Sequence, residues 1–145
     1  RSDVLRKHLA GVAETVRLPP MAYTDAANER VYGELRVRAL AVLGGGHSVI
    51  VDAVHARADE RAAIEDCARQ TGAGFVGLWL EAPAAVLAGR LRHRRGDASD
   101  ATPAVLEEQL GYDLGPLGWH RLSAAPDPEA VAAAAKRLLP AAGRR

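Results

Sequence analysis

Hydrophobic positions along the chain switch between two spacings, and the switches mark the expected elements. Leu5 and Leu9 share a face after Ser2 and Asp3, either of which suits a helix start, so a short helix is predicted to end near Gly11. The prolines of RLPPMAY then predict a loop. Thr24 suits an N-cap, and Val31, Leu35, Ala39 and Val42/Leu43 recur at helical spacing until Gly44–Gly46 stop the helix. SVIVD, residues 48–52, is continuously apolar and β-branched until its last residue, which predicts a buried strand. Asp59 is the expected cap of a helix with Ile64, Cys67 and Ala68 inward, stopped at Gly72.

GFVGLWL, residues 74–80, predicts a second buried strand, and Pro83 a helix running to about Arg95. GDASDA reads as a loop, Thr102-Pro103 as the start of a helix through Leu110, and residues 118–124 as a short strand. Asp127-Pro128-Glu129 opens a last helix to Leu139. Strands thus alternate with longer helices. The expected fold class is α/β, a three-layer parallel sheet with helices on both faces, forming one domain over residues 1–145. Ligands of such sheets bind beyond the carboxyl ends of the strands, where Asp52 and Glu81 stand.

Composition narrows the partners more than the fold. The chain has 145 residues, 48% hydrophobic and 26% charged, which suits one soluble domain with its own core. A net charge of +1 gives no general attraction to nucleic acid or to membranes. One cysteine excludes an internal disulfide and a cysteine-only zinc site, and no apolar run reaches the roughly 20 residues of a membrane helix. A cytoplasmic location is expected. RSDVLRKHLAG lacks both an initiator methionine and a signal-peptide core, so the chain is expected to be a piece of something longer.

The triplet in GGGHSVIVD invites a phosphate-loop reading, but a phosphate loop follows its strand and opens a helix. These glycines precede the strand and no Gly-Lys-Ser/Thr follows them. Asp52 is the stronger candidate. An acid ending an apolar strand is costly unless it reaches a cleft, where it can hold Mg²⁺ or orient a nucleophile; it can also simply cap the next turn. Asp3, with Arg6 one turn on, is either a helix cap or a proton acceptor beside a phosphate-binding cation.

The densest charge lies in LAGRLRHRRGDASDA. Arg90 and Arg94 stand at i and i+4, with Arg92 and Arg95 at i and i+3, and such crowding is repulsive unless the cations are solvated or face an anion. The run resembles a lid over phosphates, and a solvated helix end is the alternative. Without interleaved aromatics it fits nucleic acid poorly. Cys67 is expected in the core, and the histidines show no zinc spacing.

Taken together, RSDVLRKHLAG, AYTDAANERVYGEL, GHSVIVDAVHARADERAAIEDCARQTG and FVGLWLEAPAAVLAGRLRHRRGDASDA resemble the AAA_33-type small-molecule kinases of the P-loop superfamily. Polynucleotide kinase, chloramphenicol phosphotransferase and zeta toxins are relatives. The likeness is closest to the ATP-binding half of bacterial proteins fused to an aminoglycoside-phosphotransferase-like domain, and it covers residues 1 to about 124. It implies Asp3 as general base or substrate ligand, Arg6 as a substrate or phosphate contact, and Asp52 as the Walker B-type acid and Mg²⁺ ligand. Arg90, Arg94 and Arg95 would contact ATP phosphates from a lid spanning about residues 90–110.

The family's G-x-x-x-x-G-K-S/T loop does not occur in the chain; it is expected ahead of RSD, so the domain is read as N-terminally truncated. The expected function is ATP-dependent phosphoryl transfer to a small-molecule hydroxyl, with ATP and Mg²⁺ as cofactors and little activity in this piece alone. A non-catalytic nucleotide-binding or interaction domain is the alternative, and a zeta-toxin-like nucleotide-sugar kinase with an antitoxin partner is a third.

Overall fold

The computed structural model describes residues 1–139, so 140–145 of the expected domain lie outside the described residues. Helix α1 spans Ser2–Leu9, a 3₁₀ turn covers Pro20–Tyr23 inside the expected loop, and α2 spans Asp25–Gly44. Helix α3 spans Ala58–Thr71, strand β1 Leu78–Glu81 and α4 Ala84–His93. Helix α5 spans Pro103–Leu110, strand β2 His120–Ser123 and α6 Pro128–Leu138.

Local chemistry explains most boundaries. Thr24 Oγ1 accepts from Ala27 N, Thr102 Oγ1 from Val105 N, and Asp127 from Glu129 N and Ala130 N, each satisfying helix-start donors that have no partner within the helix. Gly72 ends α3 at φ +66°, a left-handed conformation that glycine adopts without steric cost. Two expected caps differ. Asp3 sits in the first turn of α1, whose N-cap is Arg1. Asp59 sits in the first turn of α3 rather than before it, because Arg57 is the N-cap and Glu60 reaches back to the Arg57 N–H.

The sheet is smaller than the sequence pattern suggests. β1 and β2 pair in parallel, with Leu78 opposite His120 and Glu81 opposite Ser123. Parallel pairing needs a long crossover, supplied by α4 and α5. Residues 48–52, expected as a buried strand, join no ladder among the described residues. They still run with alternating sides: Val49 and Val51 pack on the core, while Ile50 is 91% exposed. The pattern is therefore one-faced here, since no described strand lies alongside to pair its backbone. Residues 74–77 likewise lead into β1 without belonging to it, which shortens the expected 74–80 strand to Leu78–Glu81.

Two apolar clusters hold the helices. Leu5, Val31 and Leu35 join α1 to α2, with Leu9, Val51 and Ala53 against them. Ala39, Ile64 and Cys67 join α2 to α3, with Leu40, Val49, Val51 and Trp119 alongside. Val51 touches both clusters, so the 48–52 segment is seated between them and delivers Asp52 to the start of α1. Burying each large side chain stabilises by roughly 1.5–3 kcal/mol. Mixed helices around a small parallel sheet make this an α/β domain. Among the described residues no helix is long and apolar enough to cross a membrane.

Candidate functional site

On α1, Leu5 and Leu9 join the apolar core, while the charged Arg6 and Lys7 are buried among polar partners. At its start, Ser2 N donates to Asp52 O at 2.8 Å, fixing the end of the 48–52 segment against the helix. Arg1 then bridges two carboxylates: Nε lies 3.2 Å from Asp52 Oδ2, and Nη2 lies 3.0 Å from Asp97 Oδ1. Asp52 thus meets the turn that follows the arginine run. Its side chain remains 65% exposed. Asp97 also accepts from Ser99 N at 2.8 Å, and that bond, together with Arg1, holds its carboxyl below the usual range despite partial burial.

Asp3, in the first turn of α1, is half-buried, and its side chain takes part in no hydrogen bond or ion pair among the described residues. Its negative charge reaches Tyr23 and Arg1. Arg6 is buried and occupied. Its Nη1 donates to Ala22 O at 2.6 Å, its Nη2 to Asn28 Oδ1 at 2.8 Å, and its guanidinium lies 4.7 Å from the Tyr23 ring centroid. Only Nε is left without a partner, and it is buried. The immediate task of Arg6 is to fix residues 22–28 beside Asp3.

The arginine run behaves as several parts. α4 ends at His93 and Arg94 is extended, so helical spacing does not carry on to Arg95 as expected. Arg90 Nη2 donates to Ala125 O and Pro126 O, which docks α4 on the connection after β2. Arg95 folds back on the carbonyls of Arg92 and Arg94, satisfying the helix end. Arg94 is exposed and its side chain engages no described partner beyond the field of Asp97. Gly96, at φ +62°, then reverses the chain into the Asp97–Asp100 turn.

Sequence patterns did not single out Lys7, Tyr23 and Asp100 as a unit. Asp100 Oδ2 accepts from Lys7 Nζ at 2.6 Å, from Leu18 N at 3.0 Å and from Tyr23 Oη at 2.5 Å. Burial raises the Asp100 carboxyl, but these three donors outweigh it and leave the pKa lowered. Tyr23 is pushed well up, by burial first and then by its bond to that carboxylate. Asp3 and Lys7 stand at i and i+4, a visible hint that α1 carries two charged partners on one side.

A second buried group supports the frame. Arg61 donates to the carbonyls of His55, Ala56, Leu114 and Pro116, tying the turn after Asp52 to the approach to β2. His55, at φ 45°, packs edge-on against Tyr32 and Trp119, and neither ring nitrogen has a partner. Burial, helped by the Arg61 charge, lowers its pKa to about 4.

As for cofactors, no cluster of three metal-ligating side chains exists among the described residues. Mg²⁺ bound to a nucleotide commonly takes one or two carboxylates and completes its shell with water and phosphate. Asp52, exposed and held only by Arg1 among the described residues, suits that single-carboxylate mode. Arg94 has the planar fork that suits a phosphate oxygen pair.

A family model described as "AAA domain", AAA_33, matches residues 1–112. The chain belongs to the AAA_33 family. That membership supports a P-loop kinase-like domain. It is also similar to uncharacterized proteins Rv2004c and MT2060 of Mycobacterium tuberculosis and Mb2027c of Mycobacterium bovis, each 34% identical over 107 residues. Those residues make up 71% of this chain and 21% of each relative, so the AAA_33 chain spans about a fifth of the length of the curated relatives it matches. No solved structure matches it.

Proposed function

We propose that this AAA_33 domain transfers the γ-phosphate of ATP to a hydroxyl of a small molecule, as part of a longer protein whose preceding segment supplies the phosphate loop. The observation that carries the reading is the Asp52–Arg1–Asp97 bridge, at 3.2 and 3.0 Å, which joins the acid ending the 48–52 segment to the foot of the arginine run. Asp3, unengaged in the first turn of α1, is the base. The acceptor oxygen forms a bond to the γ-phosphorus, its proton passes to the Asp3 carboxylate, and the bond to the β-phosphate oxygen breaks to release ADP.

Arg94 is the lid cation best placed to reach phosphate, because Arg90 and Arg95 are already engaged with backbone carbonyls. Mg²⁺ held beside Asp52 would neutralise charge on the β- and γ-phosphates. The acceptor pocket is shaped by residues 12–43, which Arg6 and Tyr23 hold against α1. Fusion to an aminoglycoside-phosphotransferase-like domain is consistent with the length of the relatives.

The reading is tested by binding of a fluorescent ATP analogue and by phosphate transfer in the longer protein. Asp3→Asn should abolish transfer and spare binding; near-normal transfer would remove Asp3 from its role. The 145-residue chain alone should bind the analogue weakly, and micromolar affinity there would overturn the assignment of phosphate binding to a preceding segment. A longer protein that binds nucleotide without turnover would instead be the non-catalytic module.

A further inference from the structure

Asp100 lies where three separated parts of the chain meet: α1 through Lys7, the connection before α2 through Leu18 and Tyr23, and the turn that ends the arginine run. Lys7 Nζ completes the group by donating to Val16 O. The Lys7 side chain is 1% exposed and that of Asp100 12% exposed, so neither charge is well hydrated. An apolar contact of the same volume would hold these loops together at least as well, because buried ion pairs contribute little net stability. What the charged version adds is direction: one carboxylate oxygen fixes three donors at once.

Two of the donors, and the turn that carries Asp100, lead to the proposed chemistry. Tyr23 carries the ring against which the Arg6 guanidinium stacks, 4.7 Å from its centroid. Lys7 is one turn from Asp3 on the same helix side. In the same turn as Asp100, Asp97 holds Arg1, and Arg1 holds Asp52. We propose that Asp100 is a positioning residue that sets the acceptor side, Asp3 with Arg6 and Tyr23, in fixed register with the arginine-bearing phosphate side. This rests on the phosphotransferase reading. Removing the clasp lets the two reactants drift relative to one another, and misplacement by about 1 Å costs roughly 100-fold in rate.

The experiment uses the longer protein with Mg-ATP, water as the acceptor, phosphate release as the rate and a fluorescent ATP analogue to count folded sites. In Asp100→Asn, release per bound nucleotide should fall at least about tenfold while KM for Mg-ATP stays within about twofold, and Asp100→Glu should recover part of the loss. Carbon-13-labelled tyrosine, assigned with Tyr23→Phe, should show the Tyr23 phenol titrating at lower pH in Asp100→Asn. Should Asp100→Asn not fold, Tyr23→Phe, which leaves the Lys7 pair intact, carries the same rate comparison. Unchanged release with a shifted phenol would leave a clasp without a positioning role and overturn the proposal. An unshifted phenol would overturn the contact itself. A wild-type protein that binds the analogue yet neither releases phosphate to water nor transfers it to any small-molecule alcohol supplied would sink the phosphotransferase reading, and the positioning role with it, while the phenol titration separately reports the clasp.

Discussion

Lys7 Nζ and Asp100 Oδ2 meet at 2.6 Å although 93 residues separate them in the chain. The ammonium is almost wholly buried, so removing either partner strands a charge away from water. The relation ties the first helix to the end of the arginine run and is, among the described residues, the longest-range ionic contact with both partners shielded from solvent.

Lys7→Met should therefore destabilise the domain by roughly 3–5 kcal/mol, because Asp100 then stays shielded without its cation. Adding Asp100→Asn to that variant should cost much less than the sum of the two single changes. Urea unfolding of the four proteins measures the coupling. Additive costs would mean that the pair is not coupled.

Burial and the Arg61 charge lower His55 to about 4 from its ordinary 6.5. A base with a depressed folded pKa binds fewer protons folded than unfolded between those values, so stability rises with pH across that window. It is full above about 6.5 and declines as pH falls toward 4, at a slope approaching ~1.4 kcal/mol per pH unit. His55→Phe should flatten this part of the profile, measured by denaturant unfolding at stepped pH. Asp100 acts lower: its depressed carboxyl contributes stability present above about pH 3.9 and lost on further acidification.

A Cβ on Gly77 would lie 2.3 Å from Trp119 Cγ, with two more indole atoms within 2.5 Å. The ring has no room to retreat, since Trp119 Nε1 donates to Glu65 at 2.7 Å and the ring packs against His55 and Phe75. Gly77→Ala should cost about 1–3 kcal/mol, as overpacking does, and shift tryptophan emission. Native emission with unchanged stability would show that the indole can move.

Much of this fold is readable from local signals because caps and glycine stops act within one turn. Thr24, Thr102-Pro103, Asp127 and Gly72 all do what their types and neighbours imply. Signals that depend on distant partners read less well. The apolar run 48–52 shows one buried face because strand pairing comes from elsewhere in the chain order, not from the run itself. In the candidate site, periodicity placed Asp3 beside Arg6 on one helix, yet it gave no view of Arg6 turned into residues 22–28. Nor did it show Arg90 docked on Ala125 and Pro126. Lys7 reads poorly from sequence for the same reason: its partner lies 93 residues on, beyond α2, α3, β1 and α4.

Under the proposed reading, Ile50 distinguishes the chain alone from the chain within a longer protein. The residue is 91% exposed between two inward valines, on a segment whose backbone pairs with no described strand. Under the proposed reading, a preceding strand carrying the phosphate loop pairs along this segment and covers Ile50. Ile50→Lys in the 145-residue chain should then change stability by less than about 0.5 kcal/mol, the usual effect of an exposed substitution. In the longer protein the same change would bury a charge without a partner and should cost at least about 2 kcal/mol, lowering nucleotide affinity with it. Equal, small effects in both proteins would show that nothing covers this face and would move the phosphate loop elsewhere.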